Sequence, residues 1–129
     1  MVAPCPVDQV VALYHELLPE LPAVRVFSVK RRQALHGRWR WVLQSRKPGG
    51  ERRATNAAEA LDWLRRFFER ARDNDFVMGR AGRGRGHEGW RADLDYLLSD
   101  RGLQQVLERT DPAGGGLGVP GAAPGVMAG

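Results

Sequence analysis

The chain has 129 residues, of which 20 are basic and 15 acidic, so its formal net charge at pH 7 is +5. Its single cysteine excludes an intramolecular disulfide, and no apolar run reaches the roughly 18 residues that a membrane span needs. The first residues lack the charged and apolar regions of a secretory signal, so we expect a cytoplasmic protein of the bacterial type.

Composition divides the chain into two unequal parts. Residues 112–129 are rich in Gly, Pro and Ala and contain no charged or aromatic side chain. Such a segment cannot bury enough apolar surface to offset the entropy of ordering it. We therefore expect a disordered tail there and one helical domain in residues 5–111.

The first two predicted helices follow from prolines and one cap. Pro6 suits a first helical position, and Pro19 and Pro22 stop the helix that it starts. Ser28 is a good N-cap for the second helix. Spacings of three and four residues give this second helix an apolar face that contains Leu35, Trp39, Val42 and Leu43.

The rest of the domain predicts three further helices. Asn56 is expected to cap the third helix, which residues 73–75 end. Phe76–Met78 is expected to fill the core, and Asp100 to cap a short last helix. The fourth helix is marked by Trp90, Leu94, Leu97 and Leu98. Alternating strand patterns are absent, so the expected fold is all-α, a bundle of four or five helices.

Patterns typical of catalytic and metal sites are weak. The string at 84–89 matches G-x-G-x-x-G, but no predicted strand precedes it. The three His and one Cys have no metal-ligand spacing. Asp93 and Asp95 lie two residues apart, on different sides of a helix, where they cannot share acid–base work. We expect no enzymatic activity, no cofactor and no metal.

Charge is distributed unevenly along the chain. Residues 25–53 hold ten basic residues and one acidic residue, whereas residues 88–111 hold six acidic and three basic ones. A basic block beside an acidic block indicates one surface for a polyanion and another for a basic partner. Ordinary solvation in an arginine-rich protein is the alternative.

Lys30, Arg31 and Arg32 lie in or just after the first turn of the second predicted helix. The helix dipole there disfavours each cation by about 0.3–1 kcal/mol. The cluster is tolerated more readily if an anion binds, because exposed amide groups and cations together form a phosphate site. Neutralisation within the fold by the acidic block and plain solvation are the two alternatives.

Aromatic and glycine-rich segments extend this expected surface. Trp41 lies between arginines and off the buried face, so it either stacks on a base or covers a seam between helices. Residues 79–89 form either a cationic nucleic-acid-binding loop or a solvated one. The expected nucleic-acid-binding residues are Lys30, Arg31, Arg32, Arg38, Arg40, Trp41, Arg65, Arg66, Arg80, Arg83 and Arg85.

A series of short motifs runs through residues 5–109. They are Cys5-Pro6, Leu13-Tyr14-His15-Glu16, Leu18-Pro19, Leu21-Pro22, Val24-Arg25, Lys30-Arg31-Arg32-x-Ala34-Leu35, the helix Trp63–Arg72, Asp75-Phe76-Val77-Met78-Gly79, Trp90–Leu98 and Val106-Leu107-Glu108. In order and spacing they resemble the C-terminal domain of phage and prophage replication proteins, of the replisome-organiser or helicase-loader kind.

The resemblance implies a non-enzymatic accessory role in DNA replication. Members of that family usually carry an N-terminal winged-helix or helix-turn-helix domain that these 129 residues do not include. We therefore expect non-specific or single-strand DNA binding, together with docking to a replicative helicase or another replisome component. The expected partner-binding residues are Trp90, Asp93, Asp95 and Tyr96. A protein–protein adaptor without nucleic-acid binding is the alternative.

Overall fold

A computed structural model describes residues 3–80 and 90–110 of the chain. In these two ranges the chain forms one small domain of five helices without a strand, which confirms the predicted all-α class. The helices are α1 (Val7–Leu17), α2 (Val29–Gln44), α3 (Ala57–Arg72), α4 (Leu94–Leu98) and α5 (Asp100–Arg109). The expected tail and the expected contacts Arg83 and Arg85 lie outside the described residues.

The two longest helices begin at the predicted caps. The Oγ atom of Ser28 accepts a hydrogen bond from the backbone N–H of Arg31 at 3.1 Å, and Oδ1 of Asn56 accepts one from that of Glu59 at 2.9 Å. Each bond satisfies an amide that has no partner inside its helix. Both cap predictions are therefore confirmed.

The start of α4 differs from the prediction. The helix begins at Leu94 rather than near Trp90, because the carboxylate of Asp93 accepts a hydrogen bond from the Tyr96 N–H at 2.9 Å. An aspartate in this capping conformation has extended backbone, which prevents the helix from continuing towards its N-terminus. Asp93, which was expected to bind a partner, therefore also has a structural role as the cap of α4.

Two other helix starts are shifted by one residue. Pro6 is the N-cap of α1 rather than its first helical residue. Ser99 rather than Asp100 caps α5, because its Oγ accepts a hydrogen bond from the Gly102 N–H at 3.1 Å. Ser99 also ends α4, so α4 and α5 meet at a sharp corner that this one residue forms.

The core lies where α1, α2 and α3 meet, and α5 closes it against α3. The predicted apolar face of α2 is confirmed, since Leu35, Trp39, Val42 and Leu43 are all buried. Val77 and Met78 are buried as well, which confirms the expected core plug after α3 for these two residues, and Phe76 is half-buried against the core. Burying each large apolar side chain stabilises the fold by roughly 1.5–3 kcal/mol.

Two side chains of α1 hold the connector that leads into α2. The Tyr14 hydroxyl donates to the carbonyl of Pro22 at 2.6 Å, and Nε2 of His15 accepts from the N–H of Val24 at 3.0 Å. Burial raises the pKa of Tyr14 to about 12, so its hydroxyl stays protonated and remains a donor at neutral pH. These two bonds anchor the connector between α1 and α2 to the last turns of α1.

Candidate nucleic-acid interface

Helix α2 carries five cationic side chains and no acidic one in its 16 residues. Because a helix turns once every 3.6 residues, these cations point in different directions. Arg31 and Arg38 lie towards α4 and α5, and we call this side the paired face. Arg32, His36 and Arg40 are exposed on another side of the helix, which we call the open face, whereas Lys30 is exposed on a different side because it lies two residues before Arg32.

Arg31 of the paired face is bound to the acidic block. Its Nε and Nη2 atoms donate to the two carboxylate oxygens of Asp95 at 2.8 and 3.1 Å, and its Nη1 donates to the carbonyl of Val26 at 3.0 Å. Hydrogen bonding to Asp95 raises the pKa of Arg31. Of the three alternatives for the cluster of Lys30, Arg31 and Arg32, the contacts of Arg31 therefore match neutralisation of its charge by the acidic block within the fold.

Arg38, two turns further along α2, is also held by the acidic block. Its guanidinium donates twice to the carbonyl of Leu98, at 3.1 and 2.9 Å, and once to Asp100 at 3.0 Å. Only 10% of its side chain is exposed, compared with 93% for Asp100. Arg38 thus satisfies the carbonyl at the end of α4, and little of its charge faces solvent.

The open face has a different character. Within residues 3–80 and 90–110, no carboxylate forms an ion pair with Lys30, Arg32 or Arg40. Arg32 lies over the ring of Phe27, with 5.3 Å between its central carbon and the ring centroid. Arg32, His36 and Arg40 follow one another at four-residue intervals, which places them about 6 Å apart along the helix axis. Arg32 and Arg40 are the cations of this solvent-exposed row, and His36 lies between them.

The turn after α2 adds further positive charge. Residues 45–53 fold back on themselves, with an antiparallel bridge between Arg46 and Arg52 and a left-handed Gly50 at φ +96°. Glycine suits this position because other residues are strained there. The cations of this basic turn are Arg46, Lys47, Arg52 and Arg53.

Three arginines of the basic turn bind backbone carbonyls instead of carboxylates. Arg46 donates to Gly50 at 2.8 Å, Arg53 donates to the carbonyl of Arg46, and Arg52 donates to Leu43 in the last turn of α2. A carbonyl oxygen orients a guanidinium without cancelling its charge. The turn was not among the expected contacts, although the excess of basic residues in 25–53 was a signal for it.

The α3 side of the basic turn marks the edge of this cationic surface. A shallow groove there is lined by Arg52 and Arg53 but also by Glu59 and Asp62 of α3. Arg66 lines the same groove and pairs with Asp62 at 3.1 Å. The positive surface therefore extends from the turn along the open face of α2 rather than over α3.

Trp41 is half-buried at a seam between helices. Its ring meets that of Trp63 edge-on at 5.7 Å between centroids. The guanidinium groups of Arg38 and Arg53 lie over it, at 5.0 and 4.4 Å from the ring centroid. Because these side chains cover the ring of Trp41, the geometry fits the prediction that Trp41 covers a seam between helices better than the prediction that it stacks on a base.

The other described arginines expected to bind nucleic acid each lie beside a carboxylate, and none lies on the open face. Arg65 is 3.9 Å from Glu16, and the Nε atom of Arg80 is 2.8 Å from Asp75. Arg66, as described above, pairs within α3. The structure thus brings Arg32 and Arg40 to one groove and disperses the other expected cations of the described residues.

The expected partner-binding residues are engaged within the domain. Asp93 caps α4, and Asp95 pairs with Arg31. The ring of Trp90 lies 5.1 Å from that of Phe76 and 5.3 Å from that of Tyr96, measured between centroids. These contacts give each of the four residues a role inside the fold.

The described residues hold one cysteine, Cys5, and its thiol is half-buried. Burial raises the pKa of the Cys5 thiol to about 11, which keeps it protonated at neutral pH. Across residues 3–80 and 90–110, no three His, Cys, Asp or Glu side chains are placed to hold a metal ion. No helix in these ranges has the length and apolar character to cross a membrane.

Comparison with known proteins adds no assignment. No family model matches the chain, and neither a curated protein nor a solved structure shows significant similarity to it.

Proposed function

We propose that this chain binds the phosphate backbone of nucleic acid with the open face of α2 and the basic turn, as a non-enzymatic accessory protein. The observation that carries the proposal is the row formed by Arg32 and Arg40 along one groove, on a helix that has no acidic residue. Removing a charge from water is costly unless it is paired, so unpaired cations stay solvated until an anion binds.

The dimensions of this surface fit a strand rather than a small anion. The segment from Arg32 to Arg40 is about 12 Å long at the helical rise of 1.5 Å per residue, and the basic turn continues beyond it. Arginine matches phosphate well because its planar group donates two parallel hydrogen bonds. Contacts of this kind carry no direct sequence information, so little sequence preference is expected.

Replication is the context that the motif resemblance supports. If the chain acts with a replicative helicase or another replisome component, backbone binding would hold it on DNA while that partner is recruited. Single-stranded DNA is the expected ligand, since it is the form that a helicase generates. This part of the proposal rests on the resemblance alone.

The test is a titration of the full chain against a labelled thymidine homopolymer and a labelled mixed-sequence duplex at low and at physiological salt. Binding to phosphates releases counterions, so each contact to a single strand contributes about −0.7 to the log–log salt slope. The test variant is Arg32→Glu with Arg40→Glu. We expect it to lose most of the affinity and to flatten the slope.

Arg101→Glu with Arg109→Glu is the matched control, because both arginines are exposed on α5 and the change in net charge is the same. Reversal of Arg31 would be a poor test, since it would place two carboxylates together and destabilise the fold. Equal losses in the test and control variants would show that only net charge matters. Absence of wild-type binding at low salt, with capture of a helicase, would favour the adaptor alternative.

A further inference from the structure

A glycine in the middle of α2 has no explanation in the fold. Gly37 is exposed, and no heavy atom of residues 3–80 or 90–110 lies in contact, within 4 Å, with the position that a Cβ would occupy. Its φ is not in the left-handed region, so its backbone does not require glycine either. Glycine is among the poorest helix formers, and alanine would suit this site better in the isolated protein.

The other helical glycine of the described residues shows what a structural requirement looks like. At Gly102, a Cβ would lie 1.9 Å from the carbonyl oxygen of Tyr96. Any side chain there would displace the corner between α4 and α5. Gly37 has no such neighbour, so its bare backbone faces solvent.

A shallow groove of about 370 Å³ lies at Gly37 on the open face. The side chains that line it are Arg32, Gln33, His36 and Arg40. They supply two guanidinium groups, an amide and an imidazole; among the described residues no carboxylate lines this groove, and Asp8 lines the neighbouring one beside Arg32 and His36. The groove therefore offers hydrogen-bond donors and positive charge around a strip of exposed helix backbone.

We propose that a phosphodiester group of the bound strand rests in this groove, directly against Gly37. Arg32 and Arg40 would hold the phosphate from either side, and the amide of Gln33 would donate to one of its oxygens. A glycine lets backbone and ligand approach more closely than any other residue. The inference rests on the proposed function and adds a contact point to it.

The experiment compares Gly37→Ala and Gly37→Leu with the wild-type chain against the same labelled thymidine homopolymer. Neither change alters charge, and the open space at Gly37 predicts that both variants fold. We expect both to raise the melting temperature, because each residue favours helix. We also expect Gly37→Leu to weaken binding by about tenfold or more, and Gly37→Ala by less.

Two further variants separate the possible outcomes. Ala12→Leu adds similar bulk at an exposed position of α1 and should bind like the wild type. Gln33→Leu should weaken binding without a change in charge. If both Gly37 variants fold and bind within about twofold of the wild type while the Arg32/Arg40 reversal abolishes binding, the groove contact is wrong and the proposed function stands. Absence of wild-type binding would overturn both.

Discussion

The paired face and the open face of α2 both carry arginines, but the arginines of the two faces make different contacts. Arg31 binds Asp95 and the carbonyl of Val26, whereas its neighbour Arg32 pairs with no carboxylate in the described ranges. Arg38 and Arg40 repeat this contrast two turns later. Counting positive charge along the sequence therefore overestimates the surface available to a ligand. The direction in which each side chain leaves the helix decides what its charge can do.

The paired face also shapes the open face. By binding Arg31 and Arg38, the acidic α4–α5 segment relieves repulsion along a helix that has no acid of its own. Arg32 and Arg40 then remain as cations along one groove. This contrast predicts that substitutions on the paired face change stability, whereas substitutions on the open face change binding.

The largest expected effect is at the corner that supplies the partners of Arg38. Gly102→Ala would place a methyl group 1.9 Å from the Tyr96 carbonyl oxygen, so α4 and α5 would have to move apart. We expect a loss of about 3 kcal/mol or more in the free energy of unfolding, measured by urea denaturation. Gly37→Ala is the control, with an expected gain of about 0.5–1 kcal/mol. A stable Gly102→Ala variant would contradict the packing of this corner.

Arg38 and Arg40 provide the next comparison. Arg38→Ala removes both hydrogen bonds to the Leu98 carbonyl and the contact with Trp41, which should cost about 1–3 kcal/mol of stability. Arg40→Ala should change stability by less than about 0.5 kcal/mol and reduce nucleic-acid affinity instead. Denaturation and the oligonucleotide titration on both variants check this, and equal destabilisation would refute the assignment of faces.

A smaller difference is expected between Arg31 and Arg32. The ion pair of Arg31 with Asp95 is bidentate, with exposed side-chain fractions of 18% and 51%, so Arg31→Ala should destabilise the chain by about 1 kcal/mol. Arg32→Ala should have almost no effect on stability. Asp95→Asn provides the complementary test, since it removes only the negative charge and should therefore destabilise the chain by less than Arg31→Ala does.

The smallest expected effect concerns an exposed ion pair away from α2. Hydrogen bonding to Arg72 lowers the pKa of Glu20 in the folded chain. The contribution of this ion pair to the free energy of unfolding is therefore present above the pKa that Glu20 has in the unfolded chain. It is lost as the pH falls through the acidic range. Glu20→Gln should show a slightly shallower loss of stability on acidification than the wild type, measured by thermal unfolding across that range.

Local features of the fold were predictable because their causes are local. The caps at Ser28 and Asn56 and the buried face of α2 depend on residues three or four positions apart, and the sequence predicts all of them. The start of α4 was mispredicted because Trp90 fits a helical spacing, yet its ring packs against Phe76. Nothing near Trp90 in the sequence indicates that contact.

The site was less predictable because its charges depend on distant contacts. The bonds of Arg31 and Arg38 join residues 64 and 60 positions apart, so the sequence alone could not separate these arginines from Arg32 and Arg40. The basic turn was missed for a related reason. Its arginines bind their own backbone, which depends on how residues 45–53 fold back.

The carbonyl-bound arginines of the basic turn have a consequence for the kinetics of binding. Arg46, Arg52 and Arg53 are already ordered by intramolecular hydrogen bonds, so a ligand would not have to immobilise them. The entropy of ordering these side chains is lost on folding, before any encounter. Association at this end of the surface should therefore be as fast as electrostatic attraction allows and should slow as salt screens the charge, with no conformational step in between.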